Sequence, residues 1–451
     1  MAEAFKPLDP ETMPRSPGIT YQELLDTDTH TVPPVLRLQA PRDMGLQEYP
    51  VSRYTSREWH ELEVERLWKR VWQMACREEE IPAAGDHYRY DIANMSFLVV
   101  RQEDGGIKAY PNACLHRGRM LKEHDGRAEE LRCPFHGFCW KLDGQLKDIP
   151  AGWDFPQVDR DTFNLPELPV ATWAGFVFIN PDQNCDPFDD FIKDLADQFQ
   201  RWDLGALRIQ AHVAKVMKCN WKIAQEAFCE AYHVNGTHPQ ILRSLGDVNS
   251  QVDIWDNCAR VITPSATHSP LLEYQVSDAD MMRTFLDLDH DAEVPELPES
   301  MSVRSFLANA ARERFRPDAG AQVDEYCDAE MVDSLDYTLF PNFHPWGAYN
   351  GIVYRFRPNG DDHRTAIFEC YILAPFEGER PPPAELVMLK EDDTWSSALG
   401  YLGKVFDQDA FNMPKVQAGL ESTYQSGVVL AGYQEAKVRW LHHKLGEWVG
   451  E

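Results

Sequence analysis

Two short segments, Cys114-Leu-His116-Arg-Gly118 and Cys133-Pro-Phe-His136-Gly137, each offer one thiol and one imidazole, with sixteen residues between the pairs. Thiolates suit zinc or iron–sulfur iron and neutral imidazoles suit zinc or iron, so the donor chemistry leaves both metals open. A second set lies in Glu230-Ala-Tyr-His233 and His238-Pro239. Glu230 and His233, three apart, share one face of a helix. His238 falls off that face, but Asn235-Gly236 can unwind the last turn and Pro239 discourages its continuation, so both imidazoles can meet one ion. An anionic donor must come from elsewhere. The best candidate is Asp409 in Phe406-Asp407-Gln408-Asp409, on an expected helix late in the chain, with Asp407 as its rival.

In a Rieske centre two cysteines hold one iron and two histidines the other, each loop supplying one of each type, which is the arrangement at Cys114, His116, Cys133 and His136. Gly118 and Gly137 allow tight turns, and the loops lie between expected strands rather than opening a zinc-finger helix. A structural zinc knuckle is the competing reading. Cys76, Cys139, Cys185, Cys219, Cys229, Cys258, Cys327 and Cys370 read as ordinary thiols. Two histidines and a carboxylate make the facial triad of non-haem Fe(II) oxygenases, which leaves positions open for dioxygen. A one-electron centre and such an iron in one chain form a functional pair.

The elements that must position these residues fall into three stretches. Residues 1–50 hold Pro7, Pro10, Pro14, Pro17, Pro33, Pro34, Pro41 and Pro50 and read as an extended arm. Residues 51–180 open with a helix capped by Ser56, burying Trp59, Leu62, Leu67 and Val71, and continue as short strands such as Tyr88–Ile92 and Ser96–Arg101. Residues 181–451 are mixed helix and strand. Asp278–Glu299 reads as a solvated acidic loop, Val353–Arg357 and Thr365–Leu373 as strands, and Val405–Gln417 and Tyr433–Trp448 as closing helices.

With 451 residues, 43% of them hydrophobic, the chain can bury a large core. Its formal charge of -29 disfavours nucleic acid as a partner. No apolar run reaches membrane-spanning length and the N-terminus lacks a secretory pattern, so a cytoplasmic location is expected, with reduced thiols. No glycine-rich nucleotide-binding run is present.

These motifs, with Trp72–Gly85, Asn220-Trp221-Lys222 and Phe340-Pro341-Asn342, resemble the large α subunit of Rieske non-haem iron ring-hydroxylating oxygenases, from about Ser56 to the C-terminus. The resemblance implies an α+β fold: a β-rich Rieske [2Fe–2S] domain plus a helix-grip (START-like) catalytic domain with an antiparallel sheet. It implies that Cys114, His116, Cys133 and His136 bind the cluster and that His233, His238 and Asp409 bind a mononuclear Fe(II). It gives Glu230 a catalytic bridging place at a subunit boundary, where many members carry aspartate. It further implies a homotrimer built head to tail, with or without a small β subunit. Electrons from NADH would arrive through a separate reductase, with or without a ferredoxin. The activity implied is mono- or dioxygenation of an aromatic or other hydrophobic small molecule, as in aromatic hydrocarbon catabolism. Phe228, the stretch after Pro239, and the strands bearing Phe340, Asn342 and Tyr354 are expected to wall the pocket. The alternative is a zinc-stabilised ligand-binding or regulatory helix-grip protein without redox activity.

Overall fold

The computed structural model describes residues 5–451, with Asp318 described by its backbone alone. Ser56 accepts a hydrogen bond from the Trp59 N–H (3.1 Å) and starts a helix, Arg57–Glu63, that continues through a π turn, Val64–Trp68. The turn buries Leu67 and Trp68 and delivers the chain into strand Gln73–Arg77. That strand edges a three-stranded antiparallel sheet with Phe176–Ile179 and Val170–Trp173. A four-stranded sheet runs in the order Ile107–Pro111, Met95–Arg101, Asp86–Ile92, Gly126–Arg127. A smaller sheet joins Leu131–Arg132, Cys139–Trp140 and Leu146–Asp148. Trp140, Tyr110, Leu98 and Leu131 form a core directly under the loops that carry Cys114 and Cys133.

The rest of the chain is organised by one eight-stranded sheet. Its order is Gln251–Ile254, Cys258–Thr263, Ser334–Leu339, Phe343–Pro345, Ile352–Asn359, Asp362–Ala374, Arg208–Met217, Leu386–Leu389. Neighbours pair antiparallel except the last, which is parallel to Arg208–Met217. Trp395–Ser422 and Ala436–Val449 are its long closing helices. The first breaks at Gly400, whose φ of 58° and ψ of -128° are open to glycine without strain. At Gly403 a Cβ would lie 2.3 Å from the Trp395 carbonyl carbon, so only glycine lets the two segments approach.

The two regions share a buried junction. Arg355 reaches from the large sheet to the Met74 and Ala75 carbonyls (2.9 and 2.7 Å) and is paired with Glu369 (2.8 Å). Two expectations change here. Asp278–Phe285 is a helix, not loop: Ser277 accepts from the Asp280 N–H (3.1 Å), Asp278 and Asp280 sit at its positive end, and Met281 and Met282 are buried. The proline-rich first stretch carries short helices, Tyr21–Leu25 and Pro34–Arg37, and lies against this chain's own sheet. There Arg260 donates to the Val35 and Leu38 carbonyls (2.8 and 2.7 Å), and the Ala40 N–H donates to Asp253. Among the described residues no helix is long and apolar enough to cross a membrane.

Candidate metal centres and the cavity beside them

The Cys114 and Cys133 loops close in the same way. The Cys114 N–H donates to the Arg119 carbonyl (2.8 Å) and the Gly118 N–H to the Cys114 carbonyl (2.8 Å). In the second loop the Cys133 N–H donates to Phe138 (2.8 Å) and the Gly137 N–H to Cys133 (3.1 Å). Gly118 and Gly137 take φ of 75° and 81°, the left-handed region where a side chain is strained. His116 and His136 face each other with ring centroids 4.6 Å apart, and His116 stacks on Phe138 at 4.6 Å. Both cysteines are buried, and burial first, then the neighbouring Cys133 thiol, pushes the Cys114 pKa up. Such thiols become ligands when a cation replaces the proton. A single tetrahedral zinc would draw all four donor atoms together. Among the described residues, the donor atoms gathered within 4.8 Å of one another belong to a different set, His233, His238 and Asp409. Two thiols and two imidazoles presented as separate pairs suit a two-iron cluster better than one ion.

That second set is built from three local features. Trp221–Glu226 is a short helix capped by Asn220, after which the chain leaves helical geometry. Glu230 and His233 are therefore on a turn, not one helical face as their spacing suggested. Glu230 still reaches His233 with both carboxylate oxygens, accepting from its backbone N–H (2.8 Å) and from its ring Nδ1 (2.9 Å). His233 and His238 bracket a single helical turn, Val234–Thr237. Asp409 projects from the long helix, its side chain 4% exposed.

The three donors converge. Asp409 Oδ1 is 2.9 Å from His238 Nε2 and 3.7 Å from His233 Nε2. Each imidazole has its other nitrogen occupied: His233 Nδ1 by Glu230, His238 Nδ1 by Gln408 Oε1 (2.9 Å). Such partners fix ring orientation and leave Nε2 for an ion. Burial opposes charge on His233, but the hydrogen bond and charge of Glu230, with Asp409, raise its pKa to about 9. With its pKa raised, this ring is protonated near neutral pH in the metal-free chain, beside Glu230 and Asp409, and would give up that proton on holding a divalent ion. Asp407 is occupied elsewhere, accepting from the Trp395 and Ser396 N–H groups (2.7 and 3.2 Å).

A cavity of about 330 Å³ opens beside the triad. Phe228, Tyr354, Ile241, Ser244 and Leu245 line it as the sequence suggested. Phe340 and Asn342 do not: Phe340 packs on Trp440 and Trp448, and Asn342 donates to the Phe356 carbonyl (2.6 Å). Sequence reasoning missed Gln408, Asp336, Trp346 and Phe285. Gln408 beside Asp409 was the one with a local signal, as an amide adjacent to a candidate ligand. The others depend on strand register and on the unforeseen helix Asp278–Phe285.

The chain matches two family models: "Ring hydroxylating alpha subunit (catalytic domain)" over residues 199–451 and "Rieske [2Fe-2S] domain" over residues 71–159. It is 30% identical over 199 residues to the glycine betaine monooxygenase oxygenase subunit of Pseudomonas aeruginosa, covering 44% of this chain and 46% of that protein. It is 33% identical over 208 residues to the anthranilate 1,2-dioxygenase large subunit of Acinetobacter baylyi, covering 44% of each. The matched stretch thus spans about half the length of these curated relatives. The fold is similar to that of the apo form of a quaternary ammonium Rieske monooxygenase, CntA. There the TM-score is 0.63 at 18% identity, covering 90% of this chain and 96% of that one.

Proposed function

The chain belongs to the family of Rieske ring-hydroxylating α subunits, and from that premise we propose that it is the terminal oxygenase of a multicomponent system that hydroxylates a small hydrophobic molecule. The observation that carries this reading is the meeting of His233, His238 and Asp409 at the wall of an apolar cavity, in a chain that also carries a cluster-type loop pair. Cys114, His116, Cys133 and His136 would hold the [2Fe–2S] cluster, and His233, His238 and Asp409 the mononuclear iron. When bound, the two centres supply single electrons and the activation of O₂.

The chain's own residues set the conditions for that chemistry. Glu230 and Gln408 orient the two imidazoles, and Asp409 supplies the single anionic donor. Phe228, Val261, Tyr354 and Phe406 exclude water from the space where a substrate would sit. His136 is exposed and Phe135 beside it is 57% exposed, so the cluster loops present a face to a redox partner. The redox supply would be NADH through a reductase, with or without a ferredoxin, and the assembly a homotrimer in which Glu230 couples one chain's cluster to its neighbour's iron.

Product analysis under ¹⁸O₂ with a compatible reductase tests this directly, using aromatic acids, polycyclic aromatics, methyl ethers and amines as the panel. The expected result is labelled oxygen in a hydroxylated or demethylated product. Stoichiometric zinc without acid-labile sulfide in freshly purified protein would overturn the reading.

A further inference from the structure

The acids at the cavity wall already have partners. Glu230 is held by His233, Asp409 by His238, and Asp336 by Lys437 (2.6 Å), a side chain buried in the closing helix Ala436–Val449. What the wall leaves free is neutral. Strand Ser334–Leu339 pairs with Cys258–Thr263 in the register Thr263↔Ser334, and just beyond it Ser265 bridges to Leu245. All four residues line the cavity. Ser265 is fixed through its backbone, its N–H donating to Asp333 (2.8 Å) and its carbonyl accepting from Arg304 (2.9 Å). The Thr263 hydroxyl pairs with Ser250 (2.8 Å), and that of Ser244 reaches the Ile241 carbonyl (3.4 Å). The Ser265 and Ser334 hydroxyls have no such partner among the described residues.

Tyr354, from strand Ile352–Asn359, adds a third free hydroxyl. Its ring is fixed by Phe228 at 5.1 Å, Phe406 at 5.6 Å and Trp346 at 5.8 Å between centroids, so the direction of its O–H bond axis is set by packing. Burial, ahead of the neighbouring Cys370, Asp336 and Asp409, holds the phenol pKa well above its usual value. It therefore stays protonated and can both donate and accept. The unpartnered Asp336 Oδ1 and Trp346 Nε1 are fully enclosed, whereas none of these three hydroxyls is.

Each class of ligand meets this wall differently. No arginine or lysine stands among the described lining residues, so a carboxylate would lose its hydration beside the acids and find no cation in return. A cation would find every acid already engaged. A pure hydrocarbon would cover the hydroxyls and leave them unpaired, at a cost. An uncharged oxygen on an apolar body would replace the water they lose, and a site built to hydrogen-bond such a group rejects the analogue without it.

We propose that this cavity takes an uncharged substrate whose apolar body carries hydroxyl or carbonyl oxygen, and that Tyr354, Ser265 and Ser334 are the residues that read that oxygen. The inference deepens the oxygenase reading and rests on it for the identity of the cavity. Its test is equilibrium binding to the anaerobic iron-loaded protein without reductant. Failure of the oxygenase reading would instead appear as absent iron or absent ¹⁸O in product.

Four compounds of matched planar shape separate the classes near neutral pH: 2-acetylnaphthalene, its carbon isostere 2-isopropenylnaphthalene, 2-naphthoate and 2-naphthamidinium. Both ions are expected to bind more weakly than the ketone. In Tyr354→Phe/Ser265→Ala/Ser334→Ala the ketone's affinity relative to the alkene should fall by about ten-fold, with alkene binding retained as the sign of an intact cavity. Tyr354→Phe alone keeps the ring and its packing, and should lower the same ratio by about three-fold. A ratio unchanged in either variant would overturn the proposal. So would either ion binding more tightly than the ketone in the unaltered protein.

Discussion

At the cluster loops His136 is exposed and His116 half-buried on Phe138, whereas at the triad His238 and Asp409 keep only 1% and 4% of their side chains exposed. The same residue type is placed for two different jobs. An imidazole at the surface can pass an electron to whatever docks against it, and its loops need only backbone hydrogen bonds and two left-handed glycines to hold their shape. An imidazole facing a cavity must be oriented by other side chains, so Glu230 and Gln408 take the second nitrogens of His233 and His238. Local turns build the first site, and long-range packing builds the second.

That difference predicts how each site breaks. Asp409→Ala should have the largest effect, removing mononuclear iron and turnover while leaving a Rieske-type EPR spectrum intact. Asp407→Ala should leave the iron in place. It loses a cap on the Trp395 and Ser396 N–H groups and should cost about 0.5–2 kcal/mol of stability, read by denaturant unfolding. Metal analysis of both variants checks this, and exchanged phenotypes would move the ligand to Asp407.

At the other end, His116→Cys should abolish the Rieske spectrum, because thiolate in place of imidazole lowers the cluster's potential and removes a titratable N–H. Iron at the triad should survive, since none of its donors or their partners comes from the cluster loops. Loss of both irons together would show the two sites to be less separable than their construction implies.

Glu230→Gln sharpens the comparison, because Glu230 touches His233 and is expected to serve transfer between the centres rather than iron binding. The amide keeps the size and removes the charge. Both metal centres should be retained, with cluster oxidation after rapid mixing with O₂ and substrate slowed by about ten-fold or more, the scale of losses at outer-shell partners. An unchanged single-turnover rate in the iron-replete variant would remove Glu230 from that role.

The contrast also explains what could be read in advance. Cys114, His116, Cys133 and His136 were legible as candidate donors because a turn keeps side chains within a few residues of each other and glycine marks where it bends. His233 and His238 were legible for the same reason, although the spacing argument used a helix where the chain makes a turn. Asp409 against Asp407 was a choice between neighbours, and what separates their surroundings is the break at Gly400, which brings Trp395 and Ser396 back onto Asp407. Asp336 left no local trace. Its place on the cavity wall follows from register between strands more than seventy residues apart in sequence.

The junction between the two regions supports the smallest prediction. His212 is buried in the large sheet, with Nε2 3.3 Å from Glu369 Oε1 and Nδ1 3.6 Å from Glu80 Oε1, its ring stacked on Tyr371 at 3.9 Å. Glu80 comes from the cluster-bearing region, and Glu369 is also held by Arg355 and Arg357 (2.8 and 3.0 Å). Burial opposes a charge on His212, but the hydrogen bond to Glu369 and the negative charges of Glu80 and Glu369 outweigh it, and its pKa is raised. A histidine whose folded pKa is raised adds stability that is fully present below its unfolded value of about 6.5 and is lost as pH rises through the folded value. Thermal unfolding should therefore shift downward above about pH 6.5 by on the order of a few °C beyond the protein's general trend. His212→Gln, which cannot carry the proton, should unfold earlier at low pH and show a flatter profile across the same window. Parallel pH profiles for the two proteins would mean that the junction is held by Arg355 and Glu369 alone, with no contribution from a proton on His212.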